Sequence, residues 1–260
     1  MNAGLADPAF AGPAFADHFS AVAADYAGAR PEYPDALFAW IASVAPAAGQ
    51  VWEAGCGSGQ ASRGLAHHFS RVHAADPSAA QIAQAHAPGN VAFAVEPGER
   101  CSLPDASADA VCVAQALHWF DRGAFFAECR RVLRPGGVLV AWGYQDIAVP
   151  AALVVANDAL QHAIAPYWPP ERRLIDEAYA GFDWPFPAIA VPAFELRAQW
   201  TLPRLLGYFS SYSASKRYRE ATGQDPVGTH AAAFAEAWGD PGQPREVHWP
   251  LFVHARRKPA

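Results

Sequence analysis

Charge is scarce in this 260-residue chain: Asp, Glu, Lys and Arg make up 17% of it, against about 25% in an ordinary soluble domain. With 52% hydrophobic and 12% aromatic residues, that deficit excludes intrinsic disorder, because apolar surface for a core is plentiful. Positive charge is the scarcer sign. Nineteen Lys and Arg stand against 25 Asp and Glu, a formal net charge of −6, which argues against a grip on a phosphate backbone and so against a nucleic-acid partner. Cysteine is sparse too. Cys56, Cys101, Cys112 and Cys129 form no C-x-x-C pair, so the four read as small buried residues, not as a zinc or disulfide framework. The ten histidines are scattered apart from His67-His68, which fall on an expected solvated helix, and no metal site is expected. Residues 1–29 hold no Lys or Arg, hence no basic start of a secretion signal. Asp7, Pro8, Pro13, Asp17 and Asp25 break their apolar residues and exclude a membrane span. The expectation is a soluble cytoplasmic protein with no membrane partner.

Residues 1–15 carry no period, whereas Phe15, Phe19, Val22 and Tyr26 form a helical stripe. After Arg30-Pro31-Glu32-Tyr33-Pro34, with Pro34 suited to a first helical position, Leu37, Phe38, Ile41 and Val44 mark a helix face ending near Pro46. Strand and helix signals then alternate. Strands are expected at 51–54, 71–75, 91–95, 109–114 and 138–142, with helices at 60–69, 78–87 and 122–133 and a turn at 134–137. Such alternation implies parallel βαβ units and a doubly wound open sheet. The rhythm changes after Tyr144. Residues 145–187 are rich in proline and aromatics, 194–202 and 247–255 alternate like strands, and 205–221 reads as one helix. Two late strands make an antiparallel edge on the same sheet. The division expected is an arm and lid at 1–34, a cofactor-binding core at 35–144, and a substrate cap with the last strands at 145–260.

The most informative segment is Glu53-Ala54-Gly55-Cys56-Gly57-Ser58-Gly59. A strand turning into a helix through three glycines brings bare backbone against a ligand. A dinucleotide loop wants a small residue where Gln60 or Ser62 stands, and a phosphate loop wants a lysine that is missing. Asp76 ends the second strand twenty-one residues after Gly55, the spacing of an acid that binds a ribose diol.

The E-x-G-x-G-x-G loop, Asp76, Leu103-Pro104 and Leu133-Arg134-Pro135-Gly136-Gly137 together resemble the class I S-adenosylmethionine-dependent methyltransferases with the type 11 methyltransferase domain. Tyr26, Arg30-Pro31-Glu32-Tyr33-Pro34 and Ala116-Leu117-His118-Trp119-Phe120-Asp121 are similar to the subgroup of trans-aconitate methyltransferase. The resemblance implies a mostly parallel seven-stranded Rossmann-like sheet with a late antiparallel edge and a helical, aromatic insertion. It implies S-adenosylmethionine as cofactor and S-adenosylhomocysteine as product. It also places Tyr26, Arg30, Glu53, Gly55, Gly57, Gly59, Asp76, Pro77 and Gln115 around the cofactor, with Glu53 toward its ammonium and Arg30 toward its carboxylate. Where the family often carries an acid before Leu-Pro, this chain has Cys101, with Glu99 offset, so adenine is expected to meet the backbone around Arg100 and Cys101.

Methyl transfer needs in-line alignment above all, and proximity supplies on the order of 7–11 kcal/mol. The segment ending strand four lacks an [ND]-P-P-[YF] motif and an acid cluster, and no Pro-Cys dipeptide occurs anywhere. These absences exclude base-amine, metal-dependent catechol and cytosine C5 chemistry. His118 is the candidate general base, and Trp119, Tyr144 and Tyr212 are candidate pocket walls. Arg217, beside Lys216 and Arg219, is a candidate partner for an acidic substrate. The expected enzyme is therefore a methyltransferase acting on a small molecule, with an organic acid methylated on oxygen as the favoured acceptor, working as a monomer or weak homodimer. A nicotinamide-dependent oxidoreductase and a noncatalytic S-adenosylmethionine-binding protein are the alternatives.

Overall fold

The computed structural model describes residues 32–260, so the expected arm, the 15–26 stripe, Tyr26 and Arg30 lie outside the described residues. Five strands, β1 (Gln50–Ala54), β2 (Arg71–Asp76), β3 (Val91–Val95), β4 (Ala108–Ala114) and β5 (Leu133–Tyr144), run parallel. β7 (Arg245–Arg257) pairs antiparallel with β5, and β6 (Phe194–Trp200) antiparallel with β7, giving the order β3-β2-β1-β4-β5-β7-β6. This is the doubly wound, late-antiparallel sheet that the alternation implied.

Every residue of β1 is buried, because helices cover both faces, as a parallel sheet requires. On one face α1 (Asp35–Val44) and α2 (Gln60–His68) bring Leu37, Phe38, Ile41 and Leu65 onto Val51, Val140 and Trp142. On the other, α4 (Arg122–Val132) brings Phe125, Cys129 and Val132 onto Trp52, Val111 and Leu139. α4 starts where Asp121 accepts from Ala124 N at 3.1 Å, leaving fewer orphan amides at its end. Between β2 and β3 lies the short α3 (Ala79–Gln84).

The chain after β5 builds its own core. α5 (Val154–Ile164), α7 (Leu202–Ser210), α8 (Ser213–Thr222) and α9 (Pro226–Trp238) surround Leu160, Phe209, Phe234 and Trp238, and this cluster continues onto Trp249 and Tyr144 of the sheet. The short α6 (Arg172–Asp176) lies between α5 and β6.

Several local expectations need correction. The single helix expected at 205–221 is two, broken at Ser211 and Tyr212. Hydroxyls of Ser210, Ser211 and Ser215 donate to Leu206 O, Tyr208 O and Phe209 O, offering the carbonyls an alternative to the helix ladder. The expected turn at 134–137 is the start of β5. Gly136 adopts φ +76° while Gly136 N and Lys258 N bond across to Lys258 O and Gly137 O, so the glycines bend a strand without ending it. Pro34 caps α1 from outside, with ψ 136°, and is not its first residue. α3 stops at Gln84, short of the expected 87.

Gly64 shows how tightly α1 and α2 meet. A Cβ there would overlap the ring of Phe38, itself almost fully buried. Alanine is the better helix former by about 1 kcal/mol, yet overpacking costs about 1–3 kcal/mol. Gly64→Ala is therefore expected to lower the melting temperature, measured by circular dichroism. An unchanged or higher melting temperature would show that Phe38 moves aside freely.

Candidate active site

The strand order reverses direction of growth between β1 and β4, and ligands of open α/β sheets bind beyond the carboxyl ends of strands at such a point. A cavity of about 210 Å³ lies there. Its floor is the glycine loop. Gly55, Gly57 and Gly59 take φ of +70°, +54° and +83°, the left-handed region that glycine enters without strain. A Cβ on Gly57 would stand in the cavity with Gln81 Oε1, at 3.9 Å, as its nearest neighbour. On Gly55 it would press on Ala116 Cβ at 2.6 Å, so this loop needs glycine on both accounts.

Asp76 ties the loop to the end of β2. Its Oδ2 accepts from Gly57 N at 2.8 Å and its Oδ1 from Ser78 N at 2.9 Å. Beside it Glu53, 1% exposed, accepts from the Ser62 hydroxyl at 2.5 Å. Burial, with the nearby charge of Asp76 adding to it, pushes the Glu53 carboxyl up to about 8, against the pull of the Ser62 hydrogen bond and of Arg63. A carboxyl held in this way takes the charged form readily once a cation arrives.

The opposite wall comes from the ends of β4 and β5. Gln115 sits at φ +52°, unusual for a residue with a side chain. It is held there by Gln115 N to Trp142 O at 2.9 Å and Gln115 Nε2 to Tyr144 O at 3.0 Å. Trp119 and Tyr144 line the cavity with it, as does Tyr33, which meets Trp142 edge-on at 5.7 Å.

Of the candidates from sequence, Glu53, Gly55, Gly57, Asp76, Pro77, Gln115, Trp119 and Tyr144 line this cavity. Gly59 supports it from behind as the residue capping α2. The others are placed elsewhere. Neighbouring side chains of the short helical turn Leu117–Trp119 diverge, so Trp119 faces the cavity while His118 Nδ1 meets the Tyr179 hydroxyl at 3.0 Å. Burial first, then the charge of Arg172, drives the His118 pKa down to about 3, which leaves a neutral and weakly basic ring. Arg100 is exposed outside the lining. The backbone of Cys101 is already engaged, its N–H by Glu128 Oε1 at 2.7 Å and its carbonyl by Arg131 Nη2 at 2.8 Å. Tyr212 packs against Trp168 and Tyr208 in the cap core. Arg217 lies on α8, away from the lining.

Sequence reasoning missed Arg63, Gln81 and His86, which line the cavity from α2, α3 and the loop after it. The signal for Arg63 was available: it stands three residues after Gln60 on the same helix face, and Gln60 borders the loop. His73, Glu96 and Cys101 place donor atoms within 4.8 Å of one another, yet none lines the cavity and His73 Nε2 already pairs with Glu96 Oε2 at 2.9 Å.

A glycine cradle flanked by one carboxylate fit for a diol and one fit for an ammonium suits S-adenosylmethionine, which carries no phosphate. The comparisons agree. The family described as a methyltransferase domain matches residues 52–141. A Dictyostelium discoideum protein named as a methyltransferase is 32% identical over 253 residues, covering 94% of this chain and 96% of its own. A structure named as a type II methyltransferase, from Anaeromyxobacter dehalogenans, superposes with a TM-score of 0.85 at 45% identity, covering 89% of this chain and 99% of that one. Malonyl-[acyl-carrier protein] O-methyltransferase of Hahella chejuensis is 37% identical over 135 residues, 48% of this chain and 47% of its own. This chain belongs to the S-adenosylmethionine-dependent methyltransferases of the type 11 domain, and the family implies S-adenosylmethionine as methyl donor. Among the described residues no helix is long and apolar enough to cross a membrane.

Proposed function

We propose that the chain transfers a methyl group from S-adenosylmethionine to a small organic acid, forming a methyl ester in the cavity at the ends of β1 and β4. When bound, S-adenosylmethionine supplies an electrophilic methyl on a positively charged sulfur. The carbon–sulfur bond breaks as a carboxylate oxygen forms the new carbon–oxygen bond, the electron pair stays on sulfur, and both charges are neutralised. In this reading Glu53 holds the ammonium, Asp76 the ribose diol, and the bare backbone of Gly55 and Gly57 lets the tail approach closely. Trp119, Tyr144 and Tyr33 restrict the acceptor's orientation and exclude water, where alignment supplies most of the rate. Residues 145–260 serve as the substrate cap.

The observation that carries the acid reading is the place of His118: the candidate base at the end of β4 meets the Tyr179 hydroxyl at 3.0 Å and stands outside the cavity lining. With its pKa near 3, it is a poor base for a phenol, whose own pKa is about 10. A carboxylate with a pKa of about 4 is ionised already and asks only for orientation. The name of the Hahella relative, an O-methyltransferase, agrees with it. The test offers labelled cofactor with matched pools of carboxylic acids, phenols and amines. Base-labile label is expected with the acids. Label entering phenols or amines instead would overturn the ester.

A further inference from the structure

We propose that His73, Glu96 and Cys101 form a zinc site outside the cofactor cavity, one that ties the loop after β3 to the sheet. Three segments supply the donors: His73 stands in β2, Glu96 just beyond β3, and Cys101 in the loop that follows. One ligand atom from each, a ring nitrogen, a carboxylate oxygen and the thiol sulfur, lie within 4.8 Å of one another. Around a tetrahedral zinc, with bonds of about 2.0–2.3 Å, such donors stand roughly 3.3–3.8 Å apart. Closing the wider gaps takes about an ångström, shared between two side chains. His73 Nε2 and Glu96 Oε2 share a hydrogen bond at 2.9 Å. A cation in place of that proton opens the pair by about half an ångström.

The groups around the three donors suit a ligand set. Leu103 N donates to Cys101 Sγ at 3.5 Å and Ser102 N to Glu96 Oε2 at 3.3 Å, contacts that favour negative charge on sulfur and oxygen. The Cys101 peptide is pinned on both sides by α4, its N–H by Glu128 Oε1 at 2.7 Å and its carbonyl by Arg131 Nη2 at 2.8 Å. Fixed backbone therefore presents the sulfur. Glu128 is itself paired with Arg131 at 2.6 Å, so its charge is matched. One nitrogen, one oxygen and one sulfur form a set that borderline-soft zinc accepts, whereas magnesium and calcium want oxygen throughout. Cys101 binds as the thiolate, its proton passing to solvent. Three protein ligands leave a fourth position for water, reached past the partly exposed Glu96. The site was hidden in the sequence because its ligands are spread from 73 to 101 and Cys101 has no C-x-x-C partner.

The test titrates the full chain, first stripped with a chelator, with Co²⁺, which copies the geometry of zinc and absorbs light. One Co²⁺ per chain is expected, with a near-ultraviolet sulfur-to-cobalt charge-transfer band, and Zn²⁺ should displace it. Cys101→Ser should remove the band. His73→Gln should weaken Zn²⁺ binding by about a hundredfold to a thousandfold, the share of one ligand in a structural zinc site. Zn²⁺ should raise the wild-type melting temperature where Mg²⁺ does not, and should raise it far less in either variant. Because the band is read in the unsubstituted chain, the site stays testable even if a variant folds poorly. A wild-type chain without the band overturns the proposal, as does Zn²⁺ binding that neither substitution moves. Binding lost only on His67→Ala with His68→Ala would give the metal to that pair on α2 instead.

Discussion

Replacing Asp76 with alanine is expected to weaken S-adenosylhomocysteine binding by about tenfold to a few hundredfold. Two effects add. The first is the loss of hydrogen bonds from the proposed ribose diol to a charged acceptor, each worth roughly 1.5–3 kcal/mol. The second is internal to the protein. Gly57 N and Ser78 N lose the acceptors they have at 2.8 and 2.9 Å, so the loop that should meet the ligand preformed must be ordered by it. A carboxylate accepts up to about four hydrogen bonds, so supporting the loop does not exhaust Asp76. Asparagine is no conservative substitute here. Its NH₂ would turn a donor toward one of the two backbone N–H groups, so Asp76→Asn is expected to weaken binding as well. Calorimetry reads the affinity, and thermal melts of the ligand-free variants separate loop disorder from lost ligand contacts. Wild-type affinity in Asp76→Ala would remove the diol from this residue.

Asp76 and the glycine loop were legible because their signal is local: a strand, three alternating glycines, a second strand and an acid at its end. The parallel strands were legible for a related reason, since short apolar runs such as Val51-Trp52 in β1 and Val111–Val113 in β4 are buried between the two helical layers. α5 and α9 were not recognised. Their buried positions, such as Leu160 and Ile164 or Phe234 and Trp238, make sense against one another and against Trp249, and that pairing is tertiary. Placement of side chains around the cavity depends on the rotation of short elements. His118 and Trp119 are adjacent in sequence and diverge in space. Arg63 is turned to the cavity by the setting of α2, which the packing of Gly64 on Phe38 fixes. Arg217, read as a substrate contact from its basic neighbours, shares α8 with Lys216 and Arg219, which face Glu220 at 3.9 Å and Asp225 at 3.5 Å.

The second large effect is a pH dependence written by Glu53. In the ligand-free fold its carboxyl is raised from 4.5 to about 8, chiefly by burial. Between those values the folded chain keeps a proton that the unfolded chain has released. The folded state therefore binds more protons, and stability falls as pH rises, by at most about 1.4 kcal/mol per pH unit for one group. The contribution is fully present below the unfolded value and is lost as pH climbs through the folded one. Histidine works the other way. The depressed pKa of His118, at about 3 against an ordinary 6.5, makes stability rise with pH between those two values, so the wild-type curve alone does not isolate Glu53. Glu53→Gln does, because glutamine mimics the protonated carboxyl and does not titrate. The two proteins are expected to melt together near about pH 4 and to separate by about pH 8, with the wild type lower. Binding should show the inverse slope. An ammonium beside Glu53 favours the ionised form, so S-adenosylhomocysteine should bind the wild type more tightly as pH rises toward about 8, releasing a proton that calorimetry detects through its dependence on buffer. Glu53→Gln should bind more weakly and release no such proton. Parallel melting curves for the two proteins across this range would show that Glu53 is ionised in the ligand-free fold, and proton release equal in both would take the ammonium away from it.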